Sequence, residues 1–327
     1  MTDHISMIHG SGGSATSVLI REVFAREFHS RLVDAFEDAA IVEASGQIAI
    51  TTDSFVVKPL FYPGGDIGRL SVCGTVNDLL ARAATPRYIT CGFIIEEGAS
   101  MQVLRRIARS MAATAEEAGV EIVCGDTKVI EGSGQVMINT TGVGLAPDPA
   151  VCASGAREGD AILVSGTLGD HHAAILSERL AVENTITSDN APLVDIARAL
   201  APYRVHSMRD ATRGGLATVL KELAEASRRT FHIEEKALPV ADEVQGFCGI
   251  MGLDPLYMGN EGKMVVILDG EDADTALDAV RSCRYGEQAA IIGHVTKEEP
   301  GTIYAHTPVG GLRKLGVLQD EGLPRIC

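Results

Sequence analysis

The chain has 327 residues, 46% of them hydrophobic, enough for two domains with buried cores. Its formal net charge of -16 argues against general nucleic-acid or anionic-membrane binding, both of which want a basic face. Trp is absent and aromatics are 4%, which disfavours stacking on bases, whereas a phosphate ligand held through a divalent metal stays open.

Residues 1–40 combine a Gly/Ser-rich stretch, "IHGSGGSA", with a helical pattern through Val18, Leu19, Val23, Phe24, Phe28 and Leu32. No signal peptide is expected, because no basic region followed by an apolar run opens the chain. No stretch approaches the ~20 apolar residues of a membrane span. The next segment, 41–152, reads as an α/β domain. Strands are predicted at 47–57, 87–97, 121–130 and 135–146, from β-branched runs. A turn is predicted at "FYPGGDIG", and helices at 69–84 and 100–119, the latter stopped by Gly119. The Pro- and Gly-rich run "PDPAVCASGAREGD" marks a boundary near 150–156. A second α/β unit, 153–307, follows. Its predicted strands are 161–169, 261–270 and 288–296; its helices are 171–180, 193–203 and 273–283, with a loop entering a helix over 209–227. From 308 to 327 the chain reads as a mobile tail ending in Cys327. The fold class is thus α/β (α+β) with two domains and flexible tails at both ends.

The seven cysteines are scattered and odd in number, and no CxxC occurs, so reduced thiols and a cytoplasmic location are the default reading. Cys327 has nothing after it. Gly322 and Pro324 give the tail reach, so its thiolate can travel; the plain alternative is an incidental ragged end.

Four acids stand at joints between elements: Asp53, Asp78, Asp126 and Asp210. Carboxylates at strand ends are where α/β proteins hold Mg²⁺ and nucleotide phosphates, although any one alone is more simply a cap or turn residue. Two glycine segments could turn N–H groups toward an anion: "HGSGGS", with Gly10, Gly12 and Gly13 beside His9, and "RGG", Arg213, Gly214 and Gly215, at a helix start. Neither is a Walker A motif. Lys128 falls two residues after Asp126, on the same face of a strand, and could neutralise phosphate charge or form a surface salt bridge. Glu261, in "GNEGK", is a candidate general base or a turn carboxylate. His171 and His172 open a helix, where capping and exposure are the simpler reading.

The motifs "HGSGG", "TTDSFVV", "PGGDIG", "CGTVNDL", "CGDTK", "SGTLGDH", "RDATRGGL", "NEGK" and the terminal "LPRIC" together resemble the hydrogenase maturation family HypE. That family belongs to the ATP-using superfamily of aminoimidazole ribonucleotide synthetase and selenophosphate synthetase. The match runs from residue 9 to residue 327, and the "PRIC" end is what singles out HypE. Two positions depart from the family pattern: His172, where a small residue is expected, and Asp66, where relatives carry Asn.

The resemblance implies a PurM-like (aminoimidazole ribonucleotide synthetase-like) fold and a homodimer, with ATP and Mg²⁺ as cofactors. It also implies that Cys327 carries a carbamoyl group placed there by HypF, which is dehydrated with ATP to a thiocyanate. The cyano group then passes to iron in a HypC–HypD complex and becomes a cyanide ligand of [NiFe]-hydrogenase. Asp53, Asp78 and Asp210 fall on metal or nucleotide positions in this reading. Asp126 and Thr127 lie near the phosphates, Lys128 supports the transferring phosphoryl group, and Glu261 removes a proton. One alternative is a selenophosphate synthetase-like enzyme, disfavoured because "HGSGGSAT" has no Cys; the other is a non-catalytic protein that carries metal on Cys327.

Overall fold

The computed structural model describes residues 4–6, 9, 18–29 and 45–316. Gly10, Gly12, Gly13 and Cys327 lie outside the described residues.

In the first unit β1 (Gln47–Phe55) leads through a small hairpin, β2 (Phe61–Tyr62) and β3 (Gly65–Asp66), into helix α1 (Ile67–Leu80). Strand β4 (Thr85–Glu96), helix α2 (Met101–Ala118), β5 (Glu121–Ile130) and β6 (Val136–Ala146) complete it. The strands form one sheet in the order β1-β6-β4-β5, antiparallel except for β4 with β5. Asp66, in the segment predicted to be a turn, caps α1: its carboxylate accepts the N–H groups of Gly68 at 2.7 Å and Arg69 at 3.1 Å. Ser100 caps α2, and Gly119 ends it with φ at 68°. The apolar stripe of α2, from Met101 through Leu104, Ile107 and Met111, is buried against the sheet and α1. Truncating Leu104 to Ala should cost about 2–5 kcal/mol. Helix α1 is buried nearly all round because the second unit covers the side that faces away from the sheet.

The second unit runs β7 (Ala161–Val164), α3 (Asp170–Leu180), α4 (Val194–Leu200), β8 (Val205–Asp210) and α5 (Gly215–Ser227). It continues with β9 (Thr230–Glu234), α6 (Asp242–Met251), β10 (Met264–Leu268), α7 (Ala273–Arg281), β11 (Ala290–Thr296), β12 (Ile303–His306) and β13 (Leu312–Leu315). Seven strands pair in the order β13-β12-β9-β11-β7-β10-β8. Strands β7 and β10, both interior to the sheet, are buried on both faces.

Strands β9 and β12 and helix α6 were not predicted, and three further features differ from the sequence expectation. Residues 312–315, expected to lie in a mobile tail, form β13, which pairs with β12. Strand β8 was not among the predicted strands, because "VHSMRD" has no apolar alternation, and its last two residues fell in the predicted loop; Ser207 is buried there, donating to the carbonyl of Cys152 at 2.8 Å. His171 and His172 are buried rather than exposed, at 0% and 3% exposure. The His171 ring packs edge-on against Tyr62 and bonds Ser188 through Nδ1 at 2.7 Å.

The two units share a core and are laced by polar bonds. Asn77 of α1 donates to the carbonyl of Ala191 at 3.0 Å and accepts the N–H of Leu193 at 2.9 Å. Arg69 donates to the carbonyl of Asn190 at 2.8 Å. These bonds fix α1 against the second unit and so set the walls of the cleft between them.

Candidate active site

That cleft, about 370 Å³, gathers Asp53, Asp78, Asp210, Arg213 and Glu261. Two walls come from the first unit. Asp53 lies near the end of β1, where its carboxylate accepts the N–H of Ser54 at 2.8 Å. Asp78 lies on α1 and accepts the hydroxyl of Thr51 at 2.7 Å. The other walls come from the second unit. Asp210 ends β8, opposite Met264 in the ladder, which brings the 261–263 segment alongside it. Gly214 and Gly215 then start α5 with φ of 80° and 65° and no side-chain cap. A Cβ at Gly215 would stand 2.6 Å from the carbonyl oxygen of Leu256, so only glycine lets the helix start here. The helix N-terminus at the cleft has the polarity that suits an anion.

The charge balance of the cleft is unusual. Burial pushes the Asp210 carboxyl up to about 7, with the Asp78 charge adding to it. Burial also holds Glu261 well above the usual carboxylate range, and Asp210, Asp189 and Asp53 push it the same way while Arg213 opposes them. Asp53 and Asp78 are raised as well, again chiefly by burial. Of the two arginines present, Arg209 is bonded to Glu222 at 3.0 Å. Carboxyls outnumber cations, and their hard oxygens are the donors Mg²⁺ prefers. Among the described residues no three His, Cys, Asp or Glu side chains converge into a metal cage of their own. The arrangement fits a cation that takes one or two carboxylates and completes its shell from phosphate oxygens.

Other expected site residues are elsewhere. Asp126, Thr127 and Lys128 lie on β5, at the opposite edge of the four-stranded sheet from β1. Three strand spacings separate the two edges, about 14 Å. His9 is not among the residues lining the cleft; it is buried, with its Nδ1 beside Ser6 at 3.1 Å. His171 and His172 are held down to about 4 by burial, so both are neutral at pH 7. Sequence reasoning passed over Arg209, Asp189 and Lys263. Arg209 adjoins Asp210 and was legible as a charge in "RDATRGG", whereas Asp189 stands in a polar loop, "TSDNA", with no spacing signal.

Comparison with known proteins gives the family. Residues 36–146 match the AIR synthase related protein, N-terminal domain, and residues 157–306 match its C-terminal domain. The chain is 47% identical to the carbamoyl dehydratase HypE of Azotobacter vinelandii, across 99% of this chain and 97% of that one. It is 42% identical to the carbamoyl dehydratase HypE of Escherichia coli K12, across 99% and 100%. A crystal structure of hydrogenase maturation protein HypE in complex with ATP superposes with a TM-score of 0.95 at 45% identity, covering 98% of this chain and 99% of that one. One of a HypE–HypF complex gives 0.80 at 44% identity, covering 92% and 99%. A thiamine monophosphate kinase from Aquifex aeolicus, 20% identical with a TM-score of 0.63 over 90% and 100%, shares the fold. The two-domain PurM-like architecture is therefore the right description. With matches over nearly its whole length, the chain belongs to the AIR synthase related family and, within it, to the carbamoyl dehydratase HypE family.

Proposed function

We infer that the chain is an ATP-dependent carbamoyl dehydratase of hydrogenase maturation, and that it converts a thiocarboxamide on Cys327 to a thiocyanate. Beyond family membership, the observation that carries this reading is the cleft itself. An acid-rich pocket with an uncapped helix start suits a metal-bound nucleotide, and a buried carboxyl of high proton affinity suits a proton acceptor. Dehydration removes one oxygen and two N–H protons from the carbamoyl group, leaving S–C≡N. The amide oxygen is a poor leaving group until it takes the γ-phosphoryl group of ATP and departs as phosphate. Glu261 accepts a proton from nitrogen. Arg213 and the N–H groups opening α5 face the phosphates. Asp53, Asp78 and Asp210 would hold Mg²⁺ with one or two carboxylates to each ion, and the metal would supply charge neutralisation on the transferring phosphoryl group.

Lys128 and Asp126 take part, on this reading, from a second copy of the chain, whereas Thr127 is buried on the opposite face of β5 and has no part in this contact. The face of the four-stranded sheet turned away from α1 and α2 carries Ile48, Ile50, Ile94 and Ile130, with Ile50 at 69% exposure. Asp126 and Lys128 share the parity of Ile130 on β5. A homodimer that buries this face would bring Lys128 to the partner's nucleotide. Carbamoylation by HypF and delivery of cyanide to HypC–HypD, in the cytoplasm, complete the proposal. It predicts that the ATP turnover seen in the presence of carbamoyl phosphate and the carbamoyl-transferring partner is lost in Cys327→Ala; turnover unchanged in that variant would overturn it.

A further inference from the structure

Glu261 is held in place by a segment that lies outside its own loop. Its N–H donates to Asp189 Oδ1 at 3.0 Å, and the N–H of Ala191 donates to the Glu261 carbonyl at 3.4 Å. Gly262 packs so closely on the Asp189 carbonyl that a Cβ there would stand 1.8 Å from the oxygen, so the two stretches meet only through glycine. The same segment is bonded to α1 through Arg69 and Asn77, one residue before Asp78. The place of Glu261 relative to the first unit's carboxylates is therefore set through residues 189–193.

Asp189 has a second contact. Its Oδ2 is buried without a hydrogen-bond partner and lies 3.5 Å from the ammonium of Lys263, with side-chain exposures of 2% and 8%. Lys263 sits two residues beyond Glu261 and lines a different cleft, about 320 Å³, together with Asp170 and Asp189. One carboxylate thus grips Glu261 with one oxygen and faces a buried counter-charge with the other. A buried carboxylate needs such a counter-charge to stay where it is.

We propose that Asp189 is the positioning residue for Glu261 in the dehydration step and that Lys263 anchors Asp189 through its charge. This rests on the reading of Glu261 as proton acceptor. Misplacing a reacting group by about 1 Å costs on the order of 10²-fold in rate, so the grip should show in the chemical step and not in ATP binding.

The test uses the full-length chain, carbamoylated by its transferase, with single-turnover loss of water followed by mass spectrometry at saturating ATP. Two double variants remove both partners of the ion pair, so that neither is left as a lone buried charge. Asp189→Asn/Lys263→Met keeps an oxygen for the Glu261 N–H and should recover to within about threefold of the native rate, whereas Asp189→Leu/Lys263→Met loses it and should fall about 10²-fold, with the KM for ATP within about twofold in both. Lys263→Met alone, leaving Asp189 without its counter-charge, should be slower than the Asn/Met pair. Equal rates in the two double variants, or a loss confined to the KM for ATP, would overturn the proposal. Glu261→Gln separates this from the underlying reading. If Glu261→Gln is inactive while the Leu/Met pair is unimpaired, only the role of Asp189 falls; if Glu261→Gln runs at the native rate, both fall.

Discussion

Strand β8 begins beside Arg204 and ends at Asp210, and acidic side chains gather at both ends. At the first end Arg204 bonds Asp269 at 3.0 Å, Glu271 at 3.1 Å and Asp272 at 2.9 Å. Hydrogen bonds from that guanidinium hold the Asp272 carboxyl down to about 2. At the far end Asp210 is pushed up to about 7, because it is buried and faces Asp78 and Asp53. Similar side chains at the two ends of one strand have moved in opposite directions. The Arg204 end is a finished, solvated ion network. The Asp210 end is an unfinished one, whose missing positive charge must come with a ligand. Perturbed carboxyls of the second kind mark functional sites, and the cleft fits that rule.

The sharpest break of this comparison is Glu261→Gln. Removing one general base should lower dehydration by about 10²–10⁴-fold while ATP binding persists; a rate near native would show that the raised carboxyl is idle. Next comes a mixing experiment. Lys128→Ala and Asp210→Asn should each be inactive. In a symmetric dimer that draws Lys128 from one chain and Asp210 from the other, re-equilibrated mixtures should regain about a quarter of native activity. No recovery on mixing would place Lys128 within its own chain's chemistry or outside it.

Asp210→Asn also carries a stability signature. A carboxyl raised in the folded state contributes stability that is full below its unfolded pKa, near ~3.9, and lost as pH rises through its folded value. That folded value is about 7. In chelator and without nucleotide, the variant should therefore melt a few degrees higher than the native protein at pH 8, about 3–6 °C, with a smaller gain at pH 5. A lower melting point at pH 8 would mean that the Asp210 charge is already compensated. The smallest effect is expected from Arg204→Ala. It should release Asp272 toward the ordinary range near ~3.9, visible by NMR titration, and shift melting by no more than about one or two degrees.

Much of the fold was legible where local pattern and tertiary demand coincide. Helix α2 announces itself through its apolar stripe, Ser100 and Gly119, and β5 through its β-branched run. Asp53, Asp78, Asp210 and Glu261 were legible because each adjoins a turn or an element end. Strand β8 was missed because its polar residues are satisfied by distant partners, His206 by Asp160 and Ser207 by Cys152. Asp189 carries no local signal; only the crossing of two loops at Gly262 reveals it. Lys128 shows the converse. Its face on β5 was readable from parity, but its distance from Asp53 depends on strand order, to which local spacing is blind.

The most direct measurement is intact-protein mass spectrometry of the C-terminal peptide after incubation with carbamoyl phosphate, ATP, Mg²⁺ and the carbamoyl-transferring partner, with Cys327→Ala as control. A carbamoyl mass on Cys327 that loses one water only when ATP is present is the predicted result. A Cys327 that stays unmodified with an active partner, or a carbamoyl group that ATP leaves unchanged, would contradict it.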